Sequence, residues 1–164
     1  MSVMKILAVT LLLCAMVVLN EAEPKTHLFK RSYRCPSGWH YRDGSGHCFY
    51  FVKATKTWDE AESYCRSKGG HLASVHTDDV SNFLKWLVDP YNKNNGASAW
   101  LGASDTVQVG SWRWTDGSAF KYEPNRFTKN SGWGDCLRMT LTPSPYWDAI
   151  KCSYSLPSVC ATRV

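Results

Sequence analysis

Residues 57–90 read TWDEAESYCRSKGGHLASVHTDDVSNFLKWLVDP and carry the clearest secondary-structure signals in the chain. Thr57 and Glu60 form a capping box, in which both side chains satisfy free amides in the first turn of a helix. The predicted helix ends at Gly69-Gly70, a common stop signal. Its apolar face consists of Ala61, Tyr64 and Cys65.

A second helix follows in the same stretch. Thr77 is predicted to cap it, and Asp78 and Asp79 suit the positive end of the helix dipole. Asp89-Pro90 should end it, because the residue before a proline disfavours helical backbone. The apolar residues recur at helical spacing and form one stripe: Val80, Phe83, Leu84, Leu87 and Val88.

The flanking segments have the character of strands. Upstream, residues 35–51 place turn residues between apolar pieces, which predicts a small β-hairpin bracketed by Cys35 and Cys48. Downstream, apolar and polar residues alternate over 112–114 and 137–141, which predicts strands with one buried face.

A long polar stretch, residues 115–135, lies between these strands. A compact domain rarely carries such a segment unless it is a binding loop. A hairpin, two helices and then strands around a long loop predict an α+β fold in which two helices pack on small antiparallel sheets.

The amino terminus indicates secretion. Residues 6–19 form an apolar run after Lys5, too short for the roughly 20 residues of a membrane span. The pattern predicts a signal peptide over residues 1–22, cleaved after Ala22, and a secreted, extracellular product. The alternative is a short signal anchor.

The next segment, residues 23–34, is polar and basic, and contains the dibasic pair Lys30-Arg31. Both a short propeptide and a mobile tail fit this composition. The domain itself is predicted to begin near Cys35, and the family resemblance described below implies that it spans residues 35–162. The chain has 164 residues, enough for one domain and little else.

Cysteine number predicts three disulfides. Of the seven cysteines, Cys14 leaves with the signal peptide, and six in a secreted domain of this size imply full pairing. Spacing alone leaves the pairing open. Since no thiol is left over, a disulfide-linked dimer is not expected, and the choice between a monomer and a non-covalent oligomer stays open.

Composition and motifs narrow the function classes. The net charge is +5, but the basic residues are scattered, which argues against a nucleic-acid partner. The five histidines show no metal spacing, and there is no H-E-x-x-H, C-x-x-C or G-x-S-x-G motif. We therefore expect a binding protein and not an enzyme.

The eight tryptophans are the most unusual feature of the composition. Trp fills a core, an interface or a ligand platform, because it is costly to leave in water. Trp133 lies between two glycines in the long loop, so it either packs on the domain or reaches out to a ligand. Those predicted to lie in the core are Trp58, Trp100, Trp112 and Trp114, while Trp147 is predicted to anchor its strand.

Ordered landmarks in this sequence resemble the C-type lectin-like domain, in its short secreted form similar to fish ladderlectin-type lectins, snake-venom-type lectins and type II antifreeze proteins. The resemblance runs from Cys35 to about Thr162. It implies the pairs Cys35–Cys48, Cys65–Cys160 and Cys136–Cys152. The landmarks are WDEA at 58–61, Cys65, GHLASVH at 70–76, AWLG at 99–102, WTDGS at 114–118, Cys136, Cys152 and Cys160.

The resemblance also implies a Ca²⁺ ion in the long-loop region, bound by oxygens that also hold sugar hydroxyls. Ca²⁺ takes six to eight oxygen ligands. This sequence keeps a partial set for both roles, Glu123, Asn125 and Asp148. Gly134 and Ala149 stand where the family has a Glu and an Asp, so Ca²⁺ binding should be weak or absent.

Two further features bear on that site. One alignment places Glu123-Pro124-Asn125 in the family's Glu-Pro-Asn motif, and another places Phe127 at a family Trp and deletes the motif. A second family Ca²⁺ site would use Asp105 and Asp135. Its Glu is lost here, so we interpret Asp105 as a turn residue and Asp135 as a surface charge.

The predicted function is therefore a secreted lectin-like protein of innate defence that binds glycans with weak or absent Ca²⁺ dependence. Glu123, Asn125, Trp133 and Asp148 are the candidate carbohydrate-binding residues. The alternative is a protein-binding or toxin-like module on the same fold. Ice binding ranks below both, because the antifreeze relatives carry additional disulfides.

Overall fold

The computed structural model of the chain describes residues 35–91, 98–124, 127–128, 135–141 and 146–164. The predicted signal peptide, the following tail, Asn125 and Trp133 lie outside these residues. Within the described ranges, no helix is long and apolar enough to span a membrane.

Both predicted helices are present, with the predicted caps. Helix α1 (Trp58–Ser67) begins after Thr57, whose hydroxyl accepts from the Glu60 amide while the Glu60 carboxylate accepts from the Thr57 amide at 2.9 Å. Helix α2 (Asp78–Val88) begins after Thr77, whose side chain accepts from the Val80 amide. A 3₁₀ turn over Asp89–Tyr91 follows α2.

Nine strands form the rest of the described fold, starting with the predicted hairpin. They are β1 (His40–Arg42), β2 (His47–Lys56), β3 (His71–Leu72), β4 (Ser98–Ser104), β5 (Arg113–Trp114), β6 (Phe127–Thr128), β7 (Asp135–Thr140), β8 (Tyr146–Lys151) and β9 (Leu156–Arg163).

These strands join into one sheet in the order β1-β2-β9-β4-β7-β8-β6. Strand β3 pairs with β9, and β5 pairs with β4. Most pairings are antiparallel, while β4 with β9 and β6 with β8 are parallel. The carboxyl-terminal strand β9 therefore touches β2, β3 and β4, and it joins the helical half of the chain to the half with the long loop.

Two apolar clusters pack on the two faces of β9. Val159 and Ala161 belong to the larger cluster with the apolar stripe of α2, and Cys160 belongs to the smaller cluster with α1. Among the predicted core tryptophans, Trp58, Trp100 and Trp114 are buried, as is Trp147. Trp112 is only half-buried and packs at the edge of the larger cluster.

Strand β7 differs from its prediction. The alternating pattern predicts one buried face, but Cys136 and Thr140 are buried as well as Leu137 and Met139. The reason is that β7 lies inside the sheet, between β4 and β8, and has a cluster on each face. The interpretation of Asp135 as a surface charge is wrong for the same reason, since that residue is 1% exposed.

Three disulfides connect these elements. Cys35–Cys48 closes the hairpin, Cys65–Cys160 joins α1 to β9, and Cys136–Cys152 joins β7 to the end of β8. These are the pairs that the resemblance implies. A domain of this size gains most from the link between Cys65 and Cys160, which are 95 residues apart.

Candidate functional site

Asp148 is the predicted site residue whose surroundings the structure describes most fully. It lies on β8 directly opposite Arg138 on β7. The guanidinium donates two hydrogen bonds to it, Nε to Oδ1 at 2.7 Å and Nη2 to Oδ2 at 2.8 Å. The two side chains are 25% (Arg138) and 15% (Asp148) exposed, so the pair is largely shielded from water.

This pair sets the electrostatics of the β7–β8 surface. The hydrogen bonds that Arg138 donates to the Asp148 carboxylate raise the pKa of Arg138 above its usual value, so the guanidinium stays charged. A bidentate pair of this kind is among the stronger ion pairs, because both bonds carry charge and share one geometry. Both oxygens of Asp148 are therefore hydrogen-bonded to the positively charged guanidinium of Arg138.

The described residues do not fit a Ca²⁺ ion at this place. Asp148 would have to release Arg138, and the next residue on β8, Ala149, has no side-chain oxygen. In the part of the chain that the structure describes, no group of three or more His, Cys, Asp or Glu side chains is placed to hold a metal.

The other predicted sugar-binding residues are only partly placed. Glu123 is exposed, in the segment between β5 and β6. Asn125 and Trp133 lie outside the described residues, so the structure locates two of the four candidates. The structure also brings in Arg138, which the sequence had shown only as the polar residue between Leu137 and Met139.

Aromatic rings pack together in and next to the segment between β5 and β6, and we call this cluster the aromatic floor. Tyr122 meets Trp147 edge-on at 5.7 Å, and Phe127 meets Trp147 at 6.2 Å. Phe127 is also the residue of β6 that pairs with Trp147 in register. The remaining members of this aromatic floor are Trp112, Trp114 and Phe120.

Tyr122 connects the aromatic floor to helix α2. Its hydroxyl donates to a carboxylate oxygen of Asp78, in the first turn of α2. Burial and this hydrogen bond raise the pKa of Tyr122 to about 12, so the hydroxyl remains a donor at physiological pH. The start of the long loop is thereby held at a fixed place beside the helix.

A second pair of acidic residues is buried at the start of β7. Asp105 accepts from the Asp135 amide at 2.6 Å and from the Gly110 amide at 2.8 Å, which ties together the ends of its turn. Asp135 lies beside it, and one of its oxygens has no hydrogen-bond partner among the described residues. Burial, together with the charge of Asp105, raises the pKa of Asp135.

Comparisons with known proteins agree with this architecture. The family model described as the Lectin C-type domain matches residues 54–162. The type-2 ice-structuring protein of Brachyopsis segaliensis is 34% identical, over 94% of this chain and 97% of that protein. Ladderlectin of Oncorhynchus mykiss is 36% identical, over 94% and 92% of the two chains. A crystal structure of a calcium-independent type II antifreeze protein superposes with a TM-score of 0.67 and 34% identity, covering 79% of this chain and 95% of that one.

Proposed function

The chain belongs to the C-type lectin domain family, whose members are non-enzymatic binding proteins, and we propose that it is a secreted protein that recognises glycans without Ca²⁺. A role in innate defence, through glycans on microbial surfaces, is part of this proposal. The observation that carries it is the Arg138–Asp148 pair.

The pair supports metal-free binding in two ways. Both oxygens of Asp148 are hydrogen-bonded to the guanidinium of Arg138. The negative charge of Asp148 therefore needs no metal ion to balance it. The pair also fixes the orientation of the Arg138 guanidinium. The remaining N–H donors of Arg138 can then bind a sugar hydroxyl without a further loss of side-chain entropy. Asp148 itself keeps lone pairs that can accept from a hydroxyl.

The other candidate residues complete such a site. Glu123 supplies an exposed carboxylate, Asn125 an amide, and Trp133 an indole face for the apolar side of the sugar ring. Each net hydrogen bond contributes about 1 kcal/mol, so binding by one domain should be weak. Adhesion to a surface would then depend on several domains binding together, as in a non-covalent oligomer.

Secretion is supported by the cysteines. Three disulfides persist only in an oxidising compartment, which agrees with the signal-peptide pattern over residues 1–22. An extracellular protein meets the glycans that the proposal requires.

A glycan array tests the proposal when it is probed with added Ca²⁺ and then with a chelator. We expect the same sugars to be bound in both conditions. Binding that disappears with the chelator would contradict metal-free recognition. A protein that binds no glycan in either condition would favour the alternative, a protein-binding module.

Trp133→Ala tests, in the same assay, whether the Trp133 indole serves as a platform for the sugar ring. Trp86→Ala is the matched control. Trp86 is 61% exposed on α2 and is not part of the buried core, so its loss removes an indole of equal size from the surface. We expect Trp133→Ala to weaken glycan binding at least about tenfold, because aromatic anchors dominate small binding sites. Undiminished binding by a folded Trp133→Ala variant, checked by circular dichroism, would rule out the platform.

Ice binding is a second candidate, favoured by the comparisons with the ice-structuring protein and with the calcium-independent antifreeze structure. Thermal hysteresis of the purified protein measures it directly. Hysteresis that survives Trp133→Ala, together with an empty glycan array, would replace the glycan proposal with this one.

A further inference from the structure

A cleft of about 600 Å³ opens beside the short edge strand β3. It shares no lining residue with the surface around Arg138 and Asp148. The side chains that give it chemical character are His47, His71, Asp116, Ser118 and Arg163.

The register of the sheet brings the three basic side chains to one face. His47 on β2 is directly opposite Arg163 on β9, which places their Cβ atoms about 5 Å apart. His71 on β3 is opposite Ala161, two residues before Arg163 and on the same face of β9. Residues from three separate parts of the chain thus meet at one end of the sheet.

Hydrogen bonds orient both imidazoles. Nδ1 of His47 is 2.6 Å from the Ser45 carbonyl oxygen, and Nδ1 of His71 is 2.7 Å from a carboxylate oxygen of Glu62. Both partners accept, so each Nδ1 donates, and Nε2 is the nitrogen left for a ligand. Arg163 is exposed, and no acidic side chain among the described residues forms an ion pair with it.

The lining of the cleft also includes the carboxylate of Asp116, which is already hydrogen-bonded. Asp116 accepts from the Ser74 hydroxyl at 2.5 Å and from the Ser118 amide at 2.9 Å. Burial alone would raise its pKa, but the hydrogen bonds from Ser118 and Ser74 lower it, so Asp116 stays ionised at neutral pH. The cleft therefore combines basic side chains with one negative charge that hydrogen bonds hold in place.

The close contact of β3 with β9 depends on Gly70. A Cβ atom at this position would lie 2.2 Å from the Ala161 carbonyl oxygen. Any larger residue would push the two strands apart, and with them the His71 and Arg163 side chains.

We propose that this cleft binds a sugar that carries one carboxylate, of the hexuronate type. Arg163 and the Nε2 atoms of His47 and His71 hold the carboxylate, since a guanidinium matches its two oxygens. Asp116 and Ser118 accept from ring hydroxyls, and the charge of Asp116 disfavours a ligand with a second anionic group. The site is separate from the proposed glycan site around Arg138 and Asp148, because it uses none of the same residues, although Asp116 and Ser118 lie at the start of the long loop.

Chemical shifts of the ¹⁵N-labelled protein test this with three probes: sodium D-glucuronate, uncharged D-glucose and sodium acetate. We expect glucuronate to bind at least about tenfold more tightly than either of the others, because only it combines the carboxylate with hydroxyls. Glucose or acetate binding as well as glucuronate would overturn the proposal.

Variants locate the site. Arg163→Ala should weaken glucuronate binding at least about tenfold, and the control Arg113→Ala, which removes an exposed arginine of β5, should leave it unchanged. Arg163→Gln serves if the alanine variant does not fold. Unchanged binding by a folded Arg163 variant overturns the proposal. Trp133→Ala should have no effect here, so failure of the long-loop site and failure of this cleft are distinguishable.

Acidity gives an independent readout of the histidines. Nε2 of His47 or His71 can donate to a carboxylate only when the ring carries a proton on both nitrogens. The charged and titratable groups that face them are Glu62, Asp116, Arg163 and His76, whose Nε2 is 3.1 Å from the Ser118 hydroxyl. Glucuronate should therefore bind more tightly at about pH 6 than at about pH 8. A flat profile would overturn the assignment of His47 and His71 as donors.

Discussion

Arg138 and Arg163 lie on strands β7 and β9 of one sheet, but their surroundings differ. Arg138 is mostly buried and gives two hydrogen bonds to Asp148 across the β7–β8 ladder. Arg163 is exposed at the end of β9, opposite His47, and none of the described carboxylates forms an ion pair with it. The same residue type thus holds a strand pair together at one place and is available to a ligand at the other.

A disulfide-bonded cysteine precedes each arginine on its strand, Cys136 before Arg138 and Cys160 before Arg163. Removing these two disulfides should have the largest effect on the free energy of unfolding. Replacing Cys65 and Cys160 by Ala should cost about 4.7 kcal/mol, and replacing Cys136 and Cys152 about 3 kcal/mol, because the first link closes the longer loop. Urea unfolding measures both. Equal losses would show that loop length does not decide the difference between the two regions.

Removing the arginines themselves should separate their roles. Arg138→Ala leaves a largely buried carboxylate without its partner and should cost about 2–3 kcal/mol. Arg163→Ala should cost less than about 0.5 kcal/mol, as for other exposed positions. Chemical denaturation of the double variant Arg138→Ala/Asp148→Ala is the control, and it should recover part of the loss. If Arg138→Ala and Arg163→Ala were equally stable, the proposed contrast between the two arginines would be wrong.

Asp135 extends the comparison to a buried carboxylate that forms no ion pair among the described residues, although Lys151 lies across from it on β8. Its raised pKa means that the folded state holds the proton more tightly than the unfolded state. The resulting stability is complete below the unfolded value near about pH 4 and is lost as pH rises through the folded value. Asp135→Asn should therefore be more stable than the parent at neutral pH, by on the order of 1 kcal/mol.

Thermal unfolding between about pH 4 and about pH 8 checks that sign, and the gap between the two proteins should shrink at the acidic end. A variant that is less stable at neutral pH would show instead that the ionised form of Asp135 has a stabilising partner.

Calcium should have the smallest effect. With Asp148 occupied by Arg138, we expect a dissociation constant in the millimolar range or weaker, and about 1 mM Ca²⁺ then adds less than about 0.5 kcal/mol. Calorimetric titration is the measurement. A micromolar constant would show that the ion displaces the guanidinium or uses oxygens outside this pair.

The parts that could be read from the sequence are those with local causes. The caps at Thr57 and Thr77 depend on residues three positions away, and the stripe on α2 on spacing within a few turns. The order of the predicted elements gave the α+β fold, and the resemblance carried by the ordered landmarks implied the three disulfide pairs, which spacing alone left open. These features need no knowledge of which strands are neighbours.

The sites depended on distant pairings. Arg138 opposite Asp148, His47 opposite Arg163, and the burial of Asp135 all follow from the order and register of strands far apart in the chain. A strand alternates its faces by itself, but only the tertiary structure decides what covers each face and which charge lies across from it. The sequence by itself therefore determined the helices, their caps and the family. Only the folded sheet decided which arginine is bound to a carboxylate and which remains exposed to a ligand.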